Sequence, residues 1–149
     1  LDASFVKIEI GKSEVVYTSH LSPRLPAGRS PISHLVIFAI GSMVYTSIEA
    51  AKLAEAKGIS SIVVNARFVK PLDKELIVRL ARESDRVVTV EEGDLECGFG
   101  SAVAELLADN DVQKPVKRMG LPSRFIEHGT RNQILDLYGL TAEKIASAF

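Results

Sequence analysis

The sequence predicts an α/β fold, a three-layer α/β/α sandwich with a mixed, mostly parallel sheet of about five strands. Three observations carry this reading. Short apolar or β-branched runs at 35–40, 62–64 and 87–90 alternate with stretches whose apolar residues recur at helical spacing. The connections between them are short, so successive strands are joined by right-handed crossovers and run parallel. An early segment, Glu14 to Thr18, reads as a short strand pairing antiparallel in a hairpin, which makes the sheet mixed.

Taken in order, Leu1 to Ile10 alternates loosely and reads as an edge strand or the end of a linker. Gly11-Lys12-Ser13 is a turn before the strand at 14–18. Residues 19–33, SHLSPRLPAGRSPIS, hold three prolines, which excludes a helix or an inner strand and leaves an inserted or disordered loop. The chain thus reads as one domain over 1–149. Residues 1–33 form linker, first strand and loop, and 34–149 form the α/β core. Leu35 to Ile40 is a central strand, and Gly41-Ser42 turns the chain. Ser42 is placed to cap a helix running to Lys57, with Val44, Ile48, Ala51, Leu53 and Ala54 on its inner side. Gly58 is its left-handed stop.

The central stretch runs from Ile62 to Glu92. Ile62, Val63 and Val64 suit a strand covered on both faces. Pro71 keeps Lys70 out of a helix, and Asp73 is a good N-cap. Leu76, Ile77, Leu80 and Ala81 then give one apolar face. Val87, Val88 and Val90 make the next strand, with Glu91-Glu92 just past its carboxyl end. A loop from Gly93 to Gly98 leads to a helix over 99–108. Pro115 to Met119 is the last strand, 121–129 is irregular, and short helices follow at 132–138 and 142–148.

Composition bounds the function. Hydrophobic residues are 46% and charged residues 25%, the mixture of an ordinary globular domain. A formal net charge of −1 gives no electrostatic case for nucleic acid or an anionic membrane. No apolar run has the length of a membrane span, and no signal peptide is visible. Cys97 is the one cysteine, so no disulfide forms within the chain, and a reducing, cytoplasmic setting is expected. The chain starts at Leu1 rather than methionine, as a fragment or processed product would.

Several segments together carry a family resemblance. They are NARFVKPLD from Asn65 followed by VTVEE from Val88, AIGSMV at 39–44, GFGSAVAE at 98–105 and GLPSRFIEHG at 120–129, with IEIGKSEVV at 8–16 as a further piece. In order and spacing they resemble the C-terminal domain of the 1-deoxy-D-xylulose-5-phosphate synthases, thiamine-dependent enzymes of the transketolase superfamily. The match runs roughly from Val36 to Ile145. The resemblance implies five strands, one of them antiparallel, with helices on both faces. It implies a full enzyme that condenses pyruvate with glyceraldehyde 3-phosphate and releases carbon dioxide, as the first step of the non-mevalonate route to isoprenoids. It places thiamine diphosphate and Mg2+ between two upstream domains of the same polypeptide, outside this chain. The third domain braces the second and contributes to a homodimer, so the isolated chain is expected to be inactive. The family's tight turn between the first two strands is replaced here by the segment at 19–33.

Within the chain no residue is assigned a catalytic, cofactor or metal role. The candidates are for anion binding or a domain interface: Gly98, Gly100, Ser101, Arg67, Glu91 and His128. Gly98-Phe99-Gly100-Ser101 opens a helix, so its backbone N–H groups suit an anion, or its glycines allow tight packing on the sheet. It lacks the third glycine of a dinucleotide fingerprint. Glu91 and Glu92 read as capping or interface residues, since the glutamate that activates thiamine belongs, by the resemblance, to an absent domain. Gly93-Asp94 is the one Gly-Asp pair, without the asparagine a magnesium–diphosphate motif needs. Arg67 either pairs with a carboxylate at the Pro71-Leu72-Asp73 turn or points across a domain boundary. His128 has Glu127 adjacent in sequence, but neighbours on an extended segment point apart. Cys97 stands where the resemblance leads to a glycine, and His20 and His34 suggest nothing. Two other classes stay open. One is a C-terminal domain of another thiamine enzyme, such as a 2-oxoacid dehydrogenase β-subunit; RFVKPLD and GFGSAV favour the synthase. The other is a free-standing regulatory module taking a small anion at 98–101.

Overall fold

The structure is a computed structural model that describes residues 7–20 and 35–149. The expected loop at 19–33 falls almost wholly outside the described residues, as does His34. Residues 7–10 are described and are not in a strand.

The elements follow in the order β1 (Glu14–Thr18), β2 (Leu35–Ala39), α1 (Met43–Glu55), β3 (Ser61–Asn65), α2 (Lys74–Glu83), β4 (Arg86–Asp94), α3 (Phe99–Asp109), β5 (Val116–Leu121), α4 (Arg131–Leu137) and α5 (Ala142–Ala146). The five strands form one sheet in the order β1-β3-β2-β4-β5. All neighbours are parallel except β1, which runs antiparallel to β3. The hairpin expected between the first two strands therefore does not form: β3 lies between them. The central strand β2 is buried along its whole length, and a strand covered on both faces must be apolar at every position.

Side-chain alternation splits the core in two. Leu35, Ile37, Val63, Val88 and Val90 pack under α1, α4 and α5. Val36, Phe38, Val64 and Val87 pack under α2 and α3 with Ile77, Leu80, Val103 and Leu107. On α1 the inward residues are Met43, Val44, Ser47, Ala50, Ala51 and Ala54. Leu53, expected inside, is 39% exposed, because it stands about 100° around the helix from Ala54. Gly58 does take the left-handed conformation after the helix, at φ +82.

Two expected details change. Ser42 occupies the N-cap position of α1 but makes no side-chain bond to the helix; its hydroxyl is turned to Glu92. β4 runs to Asp94, with a bulge after Val90, so Glu91 and Glu92 lie inside the strand rather than beyond it. β5 is carried on to Leu121 by its pairing with Asp94.

Candidate functional site

The strand order reverses direction between β2 and β4. From β2 the chain crosses through α1 to β3 on one side, and from β4 it crosses through α3 to β5 on the other. In open α/β sheets the crevice at the carboxyl ends of two such strands is where ligands bind. Here it is a cleft of about 430 Å³ whose lining includes Ile40, Ser42, Glu91, Glu92, Cys97 and Gly98.

The two glutamates are separated by the pleat. Successive residues of a strand face opposite sides, so Glu91 points under α3 while Glu92 points toward α1 and α4. Glu91 is 4% exposed. Its carboxylate accepts the backbone N–H of Phe99 at 2.8 Å and that of Gly100 at 2.7 Å. Glu91 thus satisfies two orphan donors of the α3 N-terminus and sets a negative charge on the positive end of its dipole. The anion that the N–H groups at 98–101 call for is supplied by the chain itself, so an external anion there would have to displace a buried carboxylate.

The glycines around it leave room for backbone carbonyls and for this carboxylate. A Cβ on Gly98 would lie 2.0 Å from the Asp94 carbonyl oxygen and 2.4 Å from Glu91 Oε2. One on Gly120 would lie 2.9 Å from the Gly93 carbonyl oxygen and 3.0 Å from Glu91 Cγ. Gly100 is needed for a different neighbour, since its Cβ would meet the buried Thr89 hydroxyl at 2.5 Å. Ser101 donates to the Leu95 carbonyl at 3.0 Å and accepts from Arg118 Nη1 at 2.8 Å, closing the 95–101 loop.

Glu92 is held from two sides. Arg131 Nε donates to its two oxygens at 2.8 and 3.0 Å, and Arg131 Nη2 donates at 2.5 Å. Ser42 Oγ donates at 2.5 Å. The Arg131 bonds hold the Glu92 carboxyl below its usual range against a weaker opposing effect of burial, with help from Ser42. This clamp joins the starts of α1 and α4 to the end of β4. The sequence reading missed Ser42 and Arg131 as its members, because Arg131 is 39 residues from Glu92.

Arg67 and His128 lie apart from the cleft, whereas Cys97 is on its lining. Arg67 takes φ +59 and pairs through Nη2 with Glu14 on β1, not with Asp73. Asp73 instead accepts the Ser13 N–H at 2.9 Å and the Leu76 N–H at 3.2 Å, so it caps α2 and ties down the turn before β1 together. The carboxylate pair expected at the Pro71-Leu72-Asp73 turn is thus made with the edge strand. His128 is exposed on the 122–130 connection, beside a shallow pocket of about 330 Å³. Its neighbour Glu127 accepts the Tyr138 hydroxyl at 2.5 Å and is engaged away from the histidine. Cys97 is exposed at φ +59, a left-handed conformation that explains why a glycine suits the position.

Chemically, the cleft has the position of a ligand site and the wiring of a structural one. Glu91 and Glu92 are fully engaged inside the domain, and Asp94 Oδ1 accepts the Glu96 N–H at 2.8 Å. The rim formed by Glu92, Asp94 and Glu96 has the wrong sign of charge for a diphosphate. Among the described residues there is no group of three or more His, Cys, Asp or Glu placed to hold a metal ion, and no helix long and apolar enough to cross a membrane.

A mixed five-stranded sheet with an antiparallel edge strand, helices on both faces and a cleft at its switch point defines an α/β domain of the transketolase C-terminal type. The family model for the transketolase C-terminal domain matches residues 29–145, and the chain belongs to that family. Curated proteins similar to the chain include 1-deoxy-D-xylulose-5-phosphate synthases. The one from Heliobacterium modesticaldum is 51% identical over 126 residues, which are 82% of this chain and 20% of that protein. The one from Trichormus variabilis is 44% identical over 146 residues, 98% of this chain and 21% of that protein. Among solved structures, a split-gene transketolase described as an inactive beta4 tetramer superposes with a TM-score of 0.79 at 36% identity, over 96% of this chain and 42% of that one. A transketolase from Campylobacter jejuni shares the fold, with a TM-score of 0.56 at 21% identity over 80% of this chain and 17% of that one. The chain spans about a fifth of the length of the curated relatives it matches.

Proposed function

We propose that this chain works as the C-terminal domain of a 1-deoxy-D-xylulose-5-phosphate synthase, bracing upstream catalytic domains and a homodimer. The observation that carries the reading is 51% identity to such a synthase over 82% of this chain, confined to a fifth of the relative. The cleft supports the same view, because its buried carboxylate is spent on capping α3. The whole polypeptide then condenses pyruvate with glyceraldehyde 3-phosphate and releases carbon dioxide. Thiamine diphosphate, with Mg2+, supplies the carbanion chemistry from the upstream domains. This chain supplies no group to that chemistry and is inactive alone. A cytoplasmic location and the homodimer rest on the resemblance.

The test is the mass of the native gene product, detected in its own cells with an antibody to this chain, followed by assay. A product several times larger than 16.2 kDa is expected, releasing carbon dioxide from pyruvate only when thiamine diphosphate and glyceraldehyde 3-phosphate are present. A native product of about 16.2 kDa, or decarboxylation by the 149-residue chain alone, would overturn the reading.

A further inference from the structure

Phe125 has a relative exposure of 104%, so its ring lies wholly in water. Single exposed apolar side chains are ordinary on a protein surface. This one differs in how its loop is held. Before it, the Arg124 N–H donates to the Pro122 carbonyl at 2.8 Å. After it, Glu127 accepts the Tyr138 hydroxyl, and Thr130 with Gln133 forms a reciprocal cap on α4. Arg131 then locks α4 to Glu92. None of these bonds covers the ring. Two residues further along the chain, Glu127 and His128 line a shallow pocket with Ile134 and Leu137, and Leu137 is itself 60% exposed.

A loop fixed in advance around an exposed aromatic ring loses little entropy when that ring is buried, which is the arrangement of an interface anchor. Its occupant follows from size. Stable association of separate proteins buries about 800 Å² on each partner. A buried aromatic side chain covers only about 150–250 Å², so Phe125 with Leu137 is a weak surface for capturing a free molecule or a second copy. A tethered neighbour has a high effective concentration and needs no more than such an anchor. About four fifths of the relatives' length lies outside this chain.

We propose that Phe125 anchors this domain in an apolar pocket on the remaining domains of its own polypeptide. This rests on the reading of the chain as the C-terminal domain of a longer enzyme. The test places the photo-crosslinking analogue p-benzoylphenylalanine at position 125 of the full-length protein. The expected result is an internal crosslink, with the mass of one polypeptide retained and the joined peptide mapping upstream of this domain. A crosslinked species of doubled mass, or no crosslink to protein, overturns the docking proposal. In the same full-length protein, Phe125→Asp is expected to lower the melting temperature by several degrees and Phe125→Leu to lower it far less. Equal behaviour of wild type and Phe125→Asp also overturns the docking proposal. The native mass separates the two claims. A full-size product without the crosslink removes the docking alone, and a product of 149 residues removes the reading beneath it.

Discussion

Glu91 Oε2 stands 2.4 Å from the point where a Cβ on Gly98 would have to sit, so the two residues are fixed together. The carboxylate caps the N–H groups that open α3, and glycine is required at 98 because a Cβ would meet first the Asp94 carbonyl oxygen and then this carboxylate. Glu91→Ala should therefore strand two buried donors, at roughly 1–3 kcal/mol each. Gly98→Ala should cost about 3 kcal/mol through its clash with backbone. Gly58→Ala, which meets nothing within 4 Å but sits at φ +82, should cost only about 1–2 kcal/mol. Urea unfolding of the three variants gives the ranking. A Glu91→Ala protein as stable as wild type would mean that water replaces the carboxylate.

Asp73 joins two elements that are far apart in sequence. Its two oxygens serve the Leu76 and Ser13 N–H groups separately. Asp73→Ala is expected to lose about 2 kcal/mol, a cap plus a second unsatisfied donor. Asp73→Asn keeps one acceptor oxygen and should lose less. Because Ser13 precedes β1, the alanine variant should also be cleaved faster by protease near residue 13. Unchanged cleavage there would deny Asp73 its role in holding the edge strand.

Tyr17 is pushed up from its ordinary value of 10.0 to about 12, first by burial and then by its hydrogen bond and proximity to Glu55. The folded state therefore favours the neutral phenol more than the unfolded state does. That stability is whole below pH 10 and is lost as pH rises through about 12. Absorbance titration of the three tyrosines should show a late component that disappears in Tyr17→Phe. A titration with no late component in the wild type contradicts the assignment.

Glu92 governs the acid side. Its folded carboxyl is held below 4.5, chiefly by the Arg131 bonds. The stability it contributes is present above that ordinary value and is lost as pH falls through the depressed folded one. Melting followed from pH 7 down to pH 3 should fall less steeply below about 4.5 in Arg131→Gln than in wild type, from a lower starting point. Parallel curves would show that the clamp carries no linked proton.

Much of this molecule was legible in one dimension. Strand runs such as Leu35 to Ala39, the Asp73 cap and the Gly58 stop are local, and local chemistry fixes where elements begin and end. The motifs from Asn65 to Gly129 likewise pointed to the transketolase C-terminal family that the comparison shows. The cleft was less legible. Continuing the alternation through Val87-Val88-Thr89-Val90 would have put Glu91 under α3 and Glu92 on the opposite face. Ending the strand at Val90 hid that.

What the sequence by itself determined is therefore the succession of strands and helices, their main caps and stops, and the family. Only the tertiary structure decided that β3 comes between β1 and β2, that Arg67 pairs with Glu14 across 53 residues, and that Glu92 is clamped by Arg131 across 39. The physical reason is range. Turns and caps draw on side chains a few residues away, whereas sheet order and ion pairs depend on how separate layers pack. Ending β4 at Val90 rather than Asp94 hides that Glu91 and Glu92 still alternate between the two layers.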